Sequence, residues 1–266
     1  MKKIQFLMAL ALITVCSSIL YGQTGSVSLN SLTQIGGFVF ASSNMHSANF
    51  QTLPGTFGCS PGYTSGSGFG FSFGGIYQIP INSSLSLQMR GAFSSLGSTL
   101  TREENIGNSR VNNEAVPTIT KHSLESSISM IEIQPMLYFQ PLNNPLNLSV
   151  GLNTGFLVGA SYSQKEEIQT PSNALYENNL RQRNISNGTI ANTSALQLGA
   201  LVGAGYDVLV GRNIFVTPEV QYGLQLTNLV SDITWKSNSL RFGVSVRYIL
   251  LPKELSPTPL EPDEKR

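Results

Sequence analysis

Only two histidines occur in the sequence, His46 and His122, and one of them stands next to a potential nucleophile. His122 is followed by Ser123, and the carboxyl groups of Glu125 and Glu132 come shortly after. A serine activated by a histidine, which a carboxylate orients, is an arrangement used in nucleophilic catalysis. The spacing is unspecific, because serine is frequent along the whole chain, and both histidines fall in or beside long polar segments. We therefore predict solvated loop histidines and no catalytic residues.

A second candidate group consists of charged residues in segments where polar and apolar residues alternate. They are Arg90, Glu132, Glu219, Arg241 and Arg247. Each occupies the polar parity of its segment. If these polar faces surround a common interior, opposite charges must pair there, because an unpaired buried charge is very costly. The interpretation is a salt-bridged plug, and the alternative is a narrow polar pore lined by the same charges.

Nothing in the sequence indicates a cofactor or a metal site. The cysteines are Cys16 and Cys59, which lack the spacing of a zinc site. The glycine-rich stretches 66–75 and 199–205 are not followed by a helical pattern or by a phosphate-loop lysine, so they predict room in a crowded interior. A formal net charge of +1 gives no indication of a nucleic-acid partner.

The elements that must position these residues are strands. Apolar and polar residues alternate with a period of two, which is typical of a strand with one apolar face. The clearest segments are 239–250 and 214–227, followed by 85–94, 131–140 and 146–156, the looser 69–79 and 196–210, and the weakest, 34–41. They add up to about eight strands of about ten residues each, the length that crosses an outer membrane.

Short and long connections alternate along the chain. Short turns are predicted at Pro80–Ser83, Pro141–Pro145 and Gly211–Asn213, where Asn, Gly, Pro and Ser favour turns. Long polar loops are predicted at Ser43–Ser67, Gly97–Glu125, Gln164–Ser194 and, shorter, at Ser231–Ser237. Strict alternation of this kind is typical of an antiparallel up-and-down transmembrane β-barrel with short periplasmic turns and long outer loops.

The low content of charged residues agrees with a barrel in lipid. Charged residues make up 12% of the chain, about half of the ~25% that is typical of soluble domains. A barrel tolerates this because its outer face contacts acyl chains and its lumen can hold neutral polar residues. With about eight strands, the lumen is just wide enough for side chains to fill it.

Aromatic residues on the apolar parity cluster at the two ends of the predicted strands. Tyr77, Phe139, Tyr206 and Tyr248 fall near the predicted periplasmic turns, and Phe93, Phe156 and Tyr162 fall near the outer loops. Lipid interfaces favour such rings, so we predict two girdles. Pro135 and Pro218 lie within predicted strands, and we expect a bulge or a local widening of the ladder at each.

The ends of the chain predict export and a tail. Lys2 and Lys3, the apolar run 4–13 and the small residues before Gly22 have the layout of a secretory signal peptide, residues 1–22. A membrane anchor and a lipoprotein modified at Cys16 are the alternatives. The barrel is then residues 23–251, and the Pro-rich segment 252–266 is a flexible periplasmic extension.

These features resemble the small outer-membrane β-barrel proteins of the OmpA/OmpX-like group, in particular the outer membrane protein β-barrel domain proteins of Bacteroidetes-like bacteria. The resemblance rests on the signal, the alternating strands and the terminal strand Ser239–Leu250. It implies an outer-membrane location with both termini in the periplasm, lipid and the barrel assembly machinery as partners, and recognition of the terminal strand during assembly. The usual terminal aromatic residue is missing, since Tyr248 is followed by further apolar residues and the tail.

For function, the sequence predicts a non-enzymatic barrel with a structural or surface-recognition role carried by its outer loops. The ligand is unspecified. The alternatives are a narrow pore, a lipid A-modifying hydrolase or acyltransferase at the outer rim using His122, and an accessory barrel of a secretion machine.

Overall fold

The computed structural model describes residues 32–56, 60–111, 113–141 and 144–250. The predicted signal peptide, Cys16, Cys59 and the predicted tail lie outside the described residues. The strands are β1 Gln34–Phe50, β2 Tyr63–Pro80, β3 Leu85–Val111, β4 Glu114–Phe139, β5 Leu146–Thr170, β6 Gln182–Thr189, β7 Leu196–Tyr206, β8 Val208–Val210, β9 Ile214–Gln225 and β10 Thr234–Ile249. Within this part of the chain, no helix is both long and apolar enough to cross a bilayer.

Eight of these strands form a closed antiparallel ring in chain order. Each of β1–β5, β7, β9 and β10 pairs with its neighbours, and β10 pairs with both β9 and β1. The closing ladder runs from Gln34 opposite Ile249 to Asn49 opposite Thr234. Of the two remaining strands, β6 pairs with β5 beyond the ladder of β5 with β7, and the short β8 continues β7 along β9 in the same register. The predicted up-and-down barrel of eight strands is confirmed.

Residues of alternating parity face the two sides of the barrel wall, as the pleat requires. In each ring strand, the outward parity is mainly apolar over a stretch of roughly ten residues, enough to cross an outer membrane when tilted. These stretches, here called the apolar band, are Ile35–Met45, Phe69–Ile79, Leu85–Phe93, Ile131–Phe139, Leu146–Val158, Leu196–Tyr206, Ile214–Leu226 and Leu240–Leu250. The inward parity is mainly polar and buried.

The three short turns lie together at one end of the barrel, here called the turn end. Their asparagines cap the adjoining strands: the Asn82 side chain accepts from the backbone N–H groups of Ser84 and Leu85, both at 2.9 Å. Gly211 adopts φ +73°, a conformation that favours glycine. The turn predictions are therefore confirmed.

At the other end, most of the chain predicted as long loops is strand. We call residues 46–67, 97–129, 159–195 and 227–239, which lie beyond the apolar band, the outer extension. Strands β3, β4 and β5 are 27, 26 and 25 residues long and run far into it. The loop prediction was wrong there because polar residues occur on both parities of these strands, so no continuous apolar face marks them in the sequence, while backbone pairing still holds them.

The two prolines also differ from expectation. At Pro135 and Pro218 the register does not shift, so neither makes a bulge. Instead, the ladder from β4 to β5 has no pairs between Ile133 and Met136, and the ladder from β7 and β8 to β9 has none between Gly205 and Val208. Proline has no backbone N–H to donate, and a local gap in the ladder accommodates this. Because the register is kept, no side chain moves to the other face of the sheet.

Candidate functional site

The lumen holds all five charged residues that the sequence placed there. Arg90, Glu132, Glu219, Arg241 and Arg247 are buried, between 0% and 8% exposed. Arg90 Nη2 lies 2.7 Å from Glu219 Oε2, and Arg241 Nη1 lies 3.3 Å from Glu132 Oε2. Strands β3 and β9, and likewise β4 and β10, lie on opposite sides of the ring, so these pairs cross the lumen.

The partner of Arg247 was missed by sequence reasoning. Arg247 forms an ion pair with Asp207, which lies in the gap between β7 and β8. Asp207 is 3% exposed and shares the inward parity of Gly203 and Gly205, which is the signal that could have identified it. With Asp207 added to the five predicted residues, the six residues are here called the lumen charge network.

Asp207 is surrounded by donors near the turn end. The Tyr138 hydroxyl donates to both carboxylate oxygens at 2.8 Å, Asn147 Nδ2 donates at 3.0 Å, and Thr217 Oγ1 donates at 2.6 Å. Arg247 also lies over the Tyr138 ring, 4.8 Å from its centroid. The negative charge of Asp207 and the positive charge of Arg247 therefore neutralise each other, and hydrogen bonds from the neighbouring side chains stabilise the carboxylate further.

Glutamine side chains connect the ion pairs along the barrel axis. Gln78 Oε1 accepts from Arg247 Nη1 and from Gln88 Nε2, each at 2.8 Å. Gln88 Oε1 in turn accepts from Arg90 Nε at 2.6 Å. Because every link uses a buried side chain, the loss of any single member leaves its partner buried without a hydrogen bond, which is costly.

An apolar cluster fills the barrel interior on the outer side of the network. We call it the outer plug; it comprises Ala48, Phe50, Leu53, Tyr63, Leu96, Leu100, Leu124, Ile128, Met130, Ile190, Leu229, Val230 and Trp235. Sequence reasoning missed it because its residues come from five strands and the connecting segments.

His46 belongs to this interior and is not a solvated loop residue, which corrects the prediction. It lies on β1, 3% exposed, and its Nδ1 accepts from Trp235 Nε1 at 3.0 Å. An indole N–H can only donate, so the His46 proton sits on Nε2, 3.2 Å from Ser237 Oγ.

His122 is likewise buried, 4% exposed, on the inward face of β4. Its Nε2 lies 3.3 Å from Glu104 Oε2, yet that contact does not meet hydrogen-bond geometry, and no other described residue supplies a partner. Ser123 follows His122 on a strand and so points to the opposite face. Glu125 is exposed, and Glu132 is paired with Arg241, so the serine, histidine and acid considered from the sequence do not assemble.

The aromatic residues predicted near the turn end all lie on the outside of the barrel. Tyr77, Phe139, Tyr206 and Tyr248 are 43% to 47% exposed. At the other end of the band, Phe156 is also exposed, and Phe93 forms ring contacts with two further outward rings, Phe71 and Phe73.

Tyr162 does not share that placement, and its assignment to the outer girdle was wrong. It packs against the outer plug, and its hydroxyl lies 3.3 Å from Ser186 Oγ. The reason is an irregularity in β5: Leu157 pairs with Met130 and Gly159 with Ser129, so Val158 is an extra residue. One inserted residue reverses the parity of everything that follows.

The described residues contain no group of three or more His, Cys, Asp or Glu side chains that could hold a metal ion.

Comparison with known proteins gives one family match. The model of the outer membrane protein beta-barrel domain family matches residues 17–231. No protein of curated function matches the chain.

Among solved structures, three small barrels are similar at low identity. Ail of Yersinia pestis, in complex with the heparin analogue sucrose octasulfate, is 12% identical, with 82% of this chain and 99% of that chain covered and a TM-score of 0.29. Neisserial surface protein A is 12% identical, with coverage of 80% and 97% and a TM-score of 0.31. The outer membrane protease OmpT of Escherichia coli is 8% identical, with coverage of 86% and 99% and a TM-score of 0.31.

Proposed function

The chain belongs to the outer membrane protein beta-barrel domain family, and from that premise we propose that it is a closed, non-conducting barrel whose function is surface recognition by its outer extension. The observation that carries the proposal is the filled interior: buried ion pairs occupy the half near the turn end, and the outer plug occupies the other half.

The orientation follows from the unequal ends of the barrel. We place the turn end in the periplasm and the outer extension outside the cell, because outer-membrane barrels have short periplasmic turns and longer extracellular connections. Both ends of the described chain, at Thr33 and Leu250, are hydrogen-bonded to each other at the turn end. Export by the signal peptide at residues 1–22 and insertion by the barrel assembly machinery complete the proposed route.

The pairing of the lumen charges with one another argues against an open pore. Each arginine of the lumen charge network is within 3.3 Å of a carboxylate, and Trp235 and Leu100 of the outer plug are 0% exposed. An ion entering this lumen would have to displace paired charges and then cross an apolar layer, which is very costly.

The purified protein should therefore give no stable single-channel currents in a planar lipid bilayer. A porin inserted under the same conditions serves as the positive control for the measurement. Steady unitary currents from the unmodified protein, altered by Arg90→Gln or Glu219→Gln, would instead support the narrow pore.

Recognition is assigned to the outer extension because it is folded and polar. The hairpin of β3 and β4 beyond the band remains paired from Thr99 opposite Glu125 to Val111 opposite Glu114. The ladder between β3 and β4 is irregular between Asn105 and Asn108, where Gly107 adopts φ +117°. Such irregularities prevent another strand from pairing with the edge of the hairpin. Recognition by this hairpin would therefore use its side chains and not the addition of a strand.

Shortening this hairpin is expected to abolish surface binding and leave the barrel intact. The variant replaces residues 106–118 with a two-residue Asn-Gly turn, which keeps Asn105 opposite Ile119. Bacteria displaying it are compared with wild type for adhesion to immobilised glycans and proteins. The barrel itself is checked by the difference in gel mobility between heated and unheated samples, which closed barrels show.

Two outcomes would contradict this assignment. Equal adhesion by both strains would remove recognition from the hairpin. Modified lipid A in cells that express the wild-type protein, and unmodified lipid A in cells that lack it, would show that the rim is catalytic after all.

A further inference from the structure

A shallow polar crevice opens in the outer extension, above the outer plug. It lies between the inward face of β4 and β5 and the segment that joins β1 to β2. Its enclosed volume is about 20 Å³. That is room for one or two water-sized groups, so a ligand would insert hydroxyl groups and not a whole ring.

The centre of the crevice is a row of side chains set by strand register. Arg102 is opposite His122, His122 is opposite Glu166, and Glu166 is opposite Arg183. Cross-strand partners share a face of the sheet, so His122 and Glu166 come together on the inward face. Both line the crevice.

The charge of Glu166 is compensated within the protein. Its carboxylate accepts from Arg183 Nε at 3.0 Å and Nη2 at 2.7 Å, from Asn184 Nδ2 at 2.7 Å and from the Tyr176 hydroxyl at 3.1 Å. Burial by itself would raise the pKa of Glu166, but the contacts with Arg183, Tyr176 and Asn184 outweigh it and lower the pKa. Glu166 is thus ionised and paired at neutral pH.

The rest of the lining supplies neutral donors and acceptors. Gln51 contributes an amide and Tyr63 contributes a hydroxyl, while the amide nitrogen of Asn184 is already bonded to Glu166. Burial raises the pKa of Tyr63, so its hydroxyl stays protonated and can donate. The Nε2 atom of His122 is buried and has no hydrogen-bond partner among the described residues.

We propose that this crevice binds the hydroxyl groups of a neutral sugar. Glu166 is already paired with Arg183, so this pair offers no unbalanced charge to an ionic ligand. Neighbouring hydroxyls, each both donor and acceptor, match the mixed amide, phenol and imidazole lining. The inference deepens the proposed surface recognition and rests on it. The sugar could belong to a foreign glycan or to the lipopolysaccharide of the same membrane.

The test measures sugar binding to the full-length barrel in a phosphocholine detergent, which carries no sugar. Probes are neutral oligosaccharides ending in glucose, galactose, mannose or N-acetylglucosamine, and in a separate arm the oligosaccharide released from the lipopolysaccharide of the producing bacterium. Saturation-transfer NMR is expected to detect binding of at least one probe, and the arm that responds identifies the source.

Two variants and one control then localise the site. Gln51→Ala is expected to weaken binding roughly three- to tenfold, the effect of one hydrogen bond, and His122→Phe roughly tenfold. Gln169→Ala, at the exposed end of β5 and outside the crevice lining, should change it less than about twofold. Gln51 is exposed, so its variant folds even if His122→Phe does not.

No binding of any neutral probe at about 10 mM, or binding unchanged in Gln51→Ala and His122→Phe, overturns the inference. Binding of anionic glycans alone overturns it as well. If sugar binding fails while adhesion still depends on the β3–β4 hairpin, the proposed function stands without this site. If hairpin deletion also leaves adhesion unchanged, both fail.

Discussion

Replacing Asp207 with asparagine is expected to lower the free energy of unfolding of the barrel by about 3–5 kcal/mol, because it leaves the buried Arg247 guanidinium without its counter-charge. Arg247 is 0% exposed and Asp207 3%. The substitution keeps the shape of the side chain, so packing against Tyr138 and Thr217 is preserved and the lost charge dominates. The measurement is reversible urea unfolding in lipid vesicles, followed by circular dichroism.

Two further variants make this prediction specific. The double variant Asp207→Asn with Arg247→Met removes both charges and should recover a substantial part of the loss, since an apolar pair avoids burying an uncompensated ion. Asp232→Asn makes the same change at an exposed aspartate that accepts from Asn192, and it should stay within about 0.5 kcal/mol. A loss at Asp207 no larger than at Asp232 would show that the ion pair does not stabilise the barrel.

Truncating Trp235 to alanine is expected to cost about 3–5 kcal/mol, because it removes the largest side chain of the outer plug. The indole is 0% exposed, its ring centroid lies 5.4 Å from that of Phe50, and its N–H donates to His46. The same urea titration applies. It has to be followed by circular dichroism, since the variant contains no tryptophan.

The contributions of packing and of the hydrogen bond can be separated. Trp235→Phe keeps most of the volume, loses the bond to His46 and should cost about 1–3 kcal/mol. Ile185→Ala, on the exposed strand β6 at 62% exposure, is the control and should cost less than about 0.5 kcal/mol. An equal loss of unfolding free energy in Trp235→Ala and Ile185→Ala would mean that Trp235 in the outer plug stabilises the barrel no more than a surface residue does.

Much of the barrel wall was predictable because a membrane imposes a strong pattern on strands. A strand with lipid on one side and a polar lumen on the other must alternate, and the alternation of segments such as 239–250 fixed which residues face inward. Arg247 and Arg241 were placed in the lumen by parity alone, and the turns at Asn82 and Gly211 followed from local turn chemistry.

The outer extension was not predictable in the same way. Beyond the apolar band, polar residues occur on both parities of β3 and β4, so strands there look like loops in the sequence. The same ambiguity hid the burial of His46 and His122, which face a folded interior. It also concealed the extra residue at Val158, which reversed the parity of Tyr162.

The sequence by itself determined the class of fold, the number of ring strands and the inward placement of the five charged residues, because period-two patterns and turn residues act locally. Only the tertiary structure decided which charges pair, that Asp207 completes the network, and that an apolar cluster forms in the outer half of the interior. Ring closure brings Arg90 to Glu219 across 129 positions of the chain. Such partners are selected by the register and radius of the closed barrel, which no local pattern encodes.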